Sequence, residues 1–203
     1  MCNTEMAFTQ YIKFLRLSIA TALLSPMSRT PKMKVTMSRL NSLTRDEFVC
    51  VVGPVFEHSP WIADAAWEKR PFADLEALHQ ALMNVVESAG EDKQVKLIQA
   101  HPDLAGRAAL AGTLTAGSNR EQASAGLDKL AAEEIALFQK NNQAYREKFG
   151  FPFVICARLN KKEAILKGFE LRLSNTREQE IRTALGEIGK IARLRLLDLI
   201  AVG

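Results

Sequence analysis

From Thr44 onward the chain repeats two signals: an apolar stripe with a helical period, and a polar residue placed to open the next helix. Thr44-Arg45-Asp46-Glu47 has the form of a capping box, in which the Thr hydroxyl and the Glu carboxylate take up amide donors that the first turn leaves unpaired. It predicts a helix through about Val52. Pro60 and Pro71 punctuate the next stretch. Leu75, Leu78, Leu82 and Val85 then fall on one face of a helix predicted over 73–88, followed by another over 92–99. After a Gly-, Ala- and Thr-rich loop (106–117), Ser118-x-x-Glu121 reads as a second capping box. It opens a long helix to about Lys148, with Leu127, Leu130, Ile135 and Phe138 as its apolar contacts. Two last helices are predicted over 161–173 and 176–200. One run breaks the pattern. Phe151 to Ala157 is apolar and β-like, but it has no partner strand, and an isolated strand cannot satisfy its own backbone. The prediction is an all-α fold: a single multi-helix domain with one extended connector near 151–157.

The first 37 residues differ from the rest. They are rich in Met, Ser, Thr and Lys/Arg, and their apolar run, Leu17–Leu24, is far short of the roughly 20 residues a membrane span needs. No small-x-small cleavage site follows it at a suitable distance. The expectation is a flexible, disordered N-terminal extension over 1–37 and a helical domain over 38–203. A sequence pI of 9.0 invites a nucleic-acid reading, which the distribution of charge removes. Residues 1–39 hold six basic residues against Glu5, a net +5, whereas residues 40–203 carry 21 basic and 22 acidic residues, a net −1. The domain therefore has no polyanion footprint. Cys2, Cys50 and Cys156 are odd in number and widely spaced, which fits reduced thiols better than disulfides. With no peroxisomal tripeptide at the C-terminus and no signal peptide, the predicted location is the cytoplasm. His58, His79 and His101 form no pair at helical spacing and no Cys/His cluster, so no metal is expected.

Chemistry concentrates at His101-Pro102-Asp103-Leu104. Proline disfavours the α conformation in the residue before it, which places His101 where a helix stops. An imidazole held there suits proton transfer near neutral pH. Four other groups accompany it: Glu57-His58-Ser59-Pro60-Trp61, Ser118-Asn119-Arg120-Glu121-Gln122, Phe149 to Ile155, and Lys190 to Leu196. In this order and spacing the set resembles the OHCU decarboxylase family, the 2-oxo-4-hydroxy-4-carboxy-5-ureidoimidazoline decarboxylases that form (S)-allantoin in urate breakdown. The resemblance covers about residues 40 to 200.

The resemblance implies a catalytic pair, His101 and Glu121, with His101 as acid/base. It implies a substrate pocket drawn from Pro102, from Ser118, Asn119, Arg120, Glu121 and Gln122, from Phe153, Val154, Ile155, Cys156 and Ala157, and from Arg195. Gln122 can donate and accept at once, which suits an amide-like edge, and an Arg195 fork suits a substrate carboxylate. Glu121 could also simply reach back to the Ser118 backbone as the end of its capping box. Arg193 is expected to face solvent, and Glu57, Ser59 and Trp61 to be scaffold around the pocket. The family's chemistry implies no cofactor, a small-molecule ureidoimidazoline substrate, no nucleic acid or membrane partner, and a homodimer. Two other readings stand beside it: a hydrolase of a cyclic ureide using His101 as base for water, and a non-catalytic helical binding module.

Overall fold

The computed structural model describes residues 34–201. The expectations for residues 1–33 lie outside the described residues. Among those described are ten α-helices and no strand: α1 Met37–Asn41, α2 Arg45–Val52, α3 Trp61–Ala66, α4 Leu75–Ser88, α5 Glu91–Gln99, α6 Arg107–Leu110, α7 Ala116–Ser124, α8 Ala132–Phe149, α9 Lys162–Arg172 and α10 Arg177–Leu199. The all-α prediction holds. Five of the ten starts carry a Thr or Asp side-chain cap. Thr44 and Glu47 form their capping box, Asp74 accepts from Ala77 N at 2.8 Å, and Thr176 pairs reciprocally with Gln179. Each takes up amides that a helix start leaves unpaired.

Three departures have local causes. The domain takes in residues 34–37, because Val35 N donates to Leu199 O at 2.9 Å and Ala201 N donates to Val35 O at 3.0 Å, joining the two ends of the domain. The loop expected over 106–117 contains α6 and the start of α7. The long helix expected from Ser118 is two helices. Gly126 takes φ +78°, a left-handed conformation that glycine adopts without steric cost, and turns the chain at the end of α7. Leu127 N then returns to Gln122 O at 3.1 Å, and a new helix opens where Glu134 accepts from Ala131 N.

The 23-residue α10 is the spine, packing against α4, α5 and α8. Its buried face carries Ile181, Leu185, Ile188, Ala192 and Leu196. The connector at 151–156 pairs with no strand, as expected, and Phe151 and Phe153 are fully buried. Phe153 stacks on Phe169 with centroids 3.9 Å apart and meets the Tyr145 ring edge-on at 5.2 Å. Gly168 permits that closeness, since a Cβ there would stand 3.3 Å from the Phe153 ring.

Candidate active site

The end of α5, the inner face of α7, the 153–157 connector and the C-terminal half of α10 converge on one small cleft. His101 stands at its wall, two residues beyond α5, with its amide on Ile98 O at 3.1 Å. The position at a helix end is the one Pro102 predicts. The imidazole is buried, and its Nδ1 lies 2.9 Å from Leu97 O. A carbonyl can only accept, so Nδ1 carries the proton and Nε2 keeps a lone pair. Among the described residues Nε2 has no hydrogen-bond partner, yet it is not sealed from space. It opens to the cleft.

Arg195 reaches the same cleft from α10. Its face was readable one turn back: Ile191 at i−4 and Ile188 at i−7 are both buried. The guanidinium grips Glu121 with two bonds of 2.7 Å, from Nε and Nη2, and donates through Nη1 to Glu57 at 3.0 Å. Ser118 Oγ donates to the same Glu57 oxygen at 3.1 Å. One guanidinium thus faces two carboxylates in a desolvated corner, leaving an excess of one negative charge while His101 is neutral.

The electrostatics follow from burial and from these partners. Burial pushes the His101 pKa below its ordinary 6.5, outweighing the Leu97 carbonyl and the Glu57 carboxylate, which pull it upward. Burial would raise Glu57, but the Thr115 hydroxyl and Arg195 outweigh it and hold the carboxyl below its usual range. For Arg195 burial opposes the charge, and the two carboxylates more than restore it.

The structure gathers most of the expected residues. His101, Pro102, Ser118, Glu121, Gln122, Phe153, Val154, Ile155, Ala157 and Arg195 all line the cleft. Asn119 and Arg120 do not: they are exposed on the outer side of α7, where Arg120 folds back onto Ala116 O. Helix neighbours of an inward Ser118 and Glu121 must point elsewhere. Cys156 is buried behind the cleft wall, its amide donating to Glu187 at 2.8 Å.

Three expected roles change. Ser118 is not a cap, since the cap is Thr115, whose hydroxyl accepts from Ser118 N at 3.2 Å. This frees Glu121 for Arg195. Gln122 is engaged with the His101 loop, its Oε1 accepting from Ala105 N and its Nε2 donating to Asp103 O. Arg195 keeps its place on the cleft wall, with its guanidinium already held by Glu121 and Glu57. Arg193 is exposed as expected, though paired with Glu76. Glu57, expected as scaffold, is part of the charged cluster. Its sequence signal was a lone acid in the apolar run Val55-Phe56-Glu57, a position that burial permits only with a partner. Leu104 and Ile191 complete the wall. Among the described residues no group of three or more His, Cys, Asp or Glu side chains is placed to hold a metal, and no helix is long and apolar enough to cross a membrane.

Residues 41–197 match the model of the OHCU decarboxylase family. The chain is 41% identical to the 2-oxo-4-hydroxy-4-carboxy-5-ureidoimidazoline decarboxylase of Halalkalicoccus jeotgali, over 82% of this chain and 92% of that protein. It is 44% identical to the mouse (Mus musculus) protein of the same name, over 81% and 92%. Among solved structures it resembles an (S)-allantoin synthase, with TM-score 0.67 and 29% identity, covering 82% of this chain and about half (54%) of the other. By the match of its sequence over the whole helical domain, the chain belongs to the OHCU decarboxylase family.

Proposed function

We propose that this protein decarboxylates 2-oxo-4-hydroxy-4-carboxy-5-ureidoimidazoline to (S)-allantoin in urate degradation, with His101 as acid/base and Glu121 as its acidic partner. The observation that carries the reading is the His101 ring, pinned at Nδ1 and open at Nε2, beside an Arg195–Glu121 pair in a closed corner. Family membership supports the substrate.

The chemistry needs only what these groups supply. The carboxylate leaves ring carbon C4 as CO2, and its electron pair forms a C4=C5 bond while the neighbouring imine nitrogen gains the charge and takes a proton. The C4 hydroxyl then becomes a carbonyl as C5 gains a proton. In sum, substrate anion plus one proton gives allantoin plus CO2. The substrate's own imine is the electron sink, so no cofactor is required. Neutral His101 Nε2 can accept the hydroxyl proton in the second stage, and a fixed donor reaching one face of C5 makes one enantiomer. Removing one such group costs ~10²–10⁴ in rate.

Circular dichroism of the product from freshly made substrate is the test, because spontaneous decay gives racemic allantoin. The expected result is (S)-allantoin formed faster than substrate decays alone. Racemic product at the background rate would overturn the proposal. We propose further that the enzyme works as a homodimer in the cytosol. The free thiols of Cys50 and Cys156 support a reducing compartment, and the family resemblance supports the dimer; sedimentation of the purified protein and imaging of a tagged copy test these two points.

A further inference from the structure

The connector at 151–157 crosses the cleft wall with no strand beside it, so its backbone groups are met by side chains, by water or by a ligand. Two are held from outside the cleft. Val154 O accepts from Arg172 Nη1 at 2.8 Å, and Cys156 N donates to Glu187 Oε2 at 2.8 Å. Between them Ile155 lines the cleft, and its N–H and C=O have no hydrogen-bond partner among the described residues. The two holding groups are themselves fixed. Arg172 donates to Glu180 at 2.9 Å and to Tyr145 OH at 3.2 Å, and its guanidinium lies 4.3 Å over the Phe153 ring. Glu187 is nearly buried and tied to Lys190 at 2.6 Å.

We propose that Arg172 and Glu187 are positioning residues that clamp the connector on either side of Ile155, so that the Ile155 main-chain N–H and C=O meet an amide edge of the substrate. This rests on the proposed ureidoimidazoline substrate. An amide edge carries a donor and an acceptor side by side, which one residue's backbone can match only if its rotation is fixed. Neither clamp residue touches the reacting carbon. Loosening the connector therefore weakens ground and transition states alike, which appears in KM and leaves kcat nearly unchanged.

The experiment is steady-state kinetics of wild type, Glu187→Ala, Glu187→Gln and Arg172→Lys, with Tm measured for each. Glu187→Ala is expected to raise KM about tenfold with kcat within about twofold. Glu187→Gln, which keeps an acceptor for Cys156 N, should restore KM to within about twofold. Arg172→Lys keeps the charge opposite Glu180 but replaces a planar fork, whose Nε, Nη1 and Nη2 span Glu180, Val154 O and Tyr145 OH, with a compact ammonium that cannot reach all three, so KM should again rise. A wild-type KM in Glu187→Ala, or a fall in Tm and active fraction with KM unchanged, overturns the clamp. Should Arg172→Lys not fold, the Glu187 pair decides alone. Wild-type protein without turnover on the ureidoimidazoline would instead overturn the substrate assignment.

Discussion

Two partly buried arginines on the last two helices carry the same charge in similarly closed surroundings and are used differently. Arg172 is matched: its donors go to Glu180, Val154 O and Tyr145 OH, while the Glu180 carboxylate also receives the Tyr145 hydroxyl and Asn175. Glu180 is fully buried, and this network is charge-balanced. Arg195 is outnumbered, with Glu121 and Glu57 on one guanidinium and an imidazole nearby whose free nitrogen faces a cleft. The contrast separates structure from chemistry. A satisfied buried pair fixes a fold, whereas an unbalanced one beside an open ring nitrogen leaves a proton something to do.

The sharpest break falls on the unbalanced cluster. His101→Asn keeps a side chain able to donate to Leu97 O but cannot exchange a proton near neutral pH. It should lower kcat by ~10²–10⁴, read as (S)-allantoin by circular dichroism, with little change in Tm. Wild-type rate in that variant would end the case for His101. Glu180→Ala tests the matched cluster and should do the opposite. It strands a buried guanidinium, costs about 3–5 kcal/mol, and lowers Tm by about 10 °C while folded molecules turn over near the normal kcat. If instead kcat collapses at unchanged Tm, the division between the clusters is wrong.

Glu121→Gln sharpens the comparison by removing one unit of the excess charge. A tenfold or larger loss of kcat is expected, by roughly the lower range for an acid–base group. Because the Glu121 charge holds His101 upward, the acid limb of the pH–rate profile should also move to lower pH. In wild type that limb should lie below pH 6.5, since burial depresses the folded pKa of His101 from that value and the proposed mechanism uses the neutral ring. The sign for stability is the same. The unfolded chain binds more protons just below pH 6.5, so stability is lost as pH falls through that region and is full above it. A rate profile with its acid limb above pH 6.5 would contradict the burial of this ring.

The smallest effect separates a cap from a site. Thr115→Ala removes the hydroxyl cap of α7 and should cost about 1 kcal/mol, near 3 °C in Tm, and it also withdraws the hydroxyl that helps hold Glu57 ionised, so Tm and not rate is the readout that identifies the cap. Ser118→Ala should leave Tm closer to wild type and act on turnover, through the hydrogen bond it withdraws from Glu57. Equal loss of Tm in both would return the cap to Ser118.

Much of this site was legible because its signals are local. Pro102 forces a helix end at His101 whatever surrounds it, and Thr44 with Glu47 can satisfy each other without tertiary help. Asn119 and Arg120 were misplaced because a contiguous motif on a helix cannot turn every side chain the same way. The Ser118 cap failed for a related reason: Thr115 lies three residues earlier and caps equally well, and a sequence holds no measure of which of two competent hydroxyls prevails.

What the sequence determined alone was the all-α class, the positions of α2, α4, α5, α9 and α10 to within a few residues, and a connector that pairs with no strand; it merged α7 and α8 into one helix, and the cleft residues came from the family resemblance. What only the tertiary structure decided was who holds whom. Glu57 and Arg195 are 138 positions apart, and Arg172 reaches Val154 O only because α9 turns back over the connector. Capping and periodicity act within a turn or two of chain, so they are written in neighbouring residues. The sharing of one guanidinium by two carboxylates, and the burial that depresses the His101 pKa, depend on which distant surfaces exclude water together.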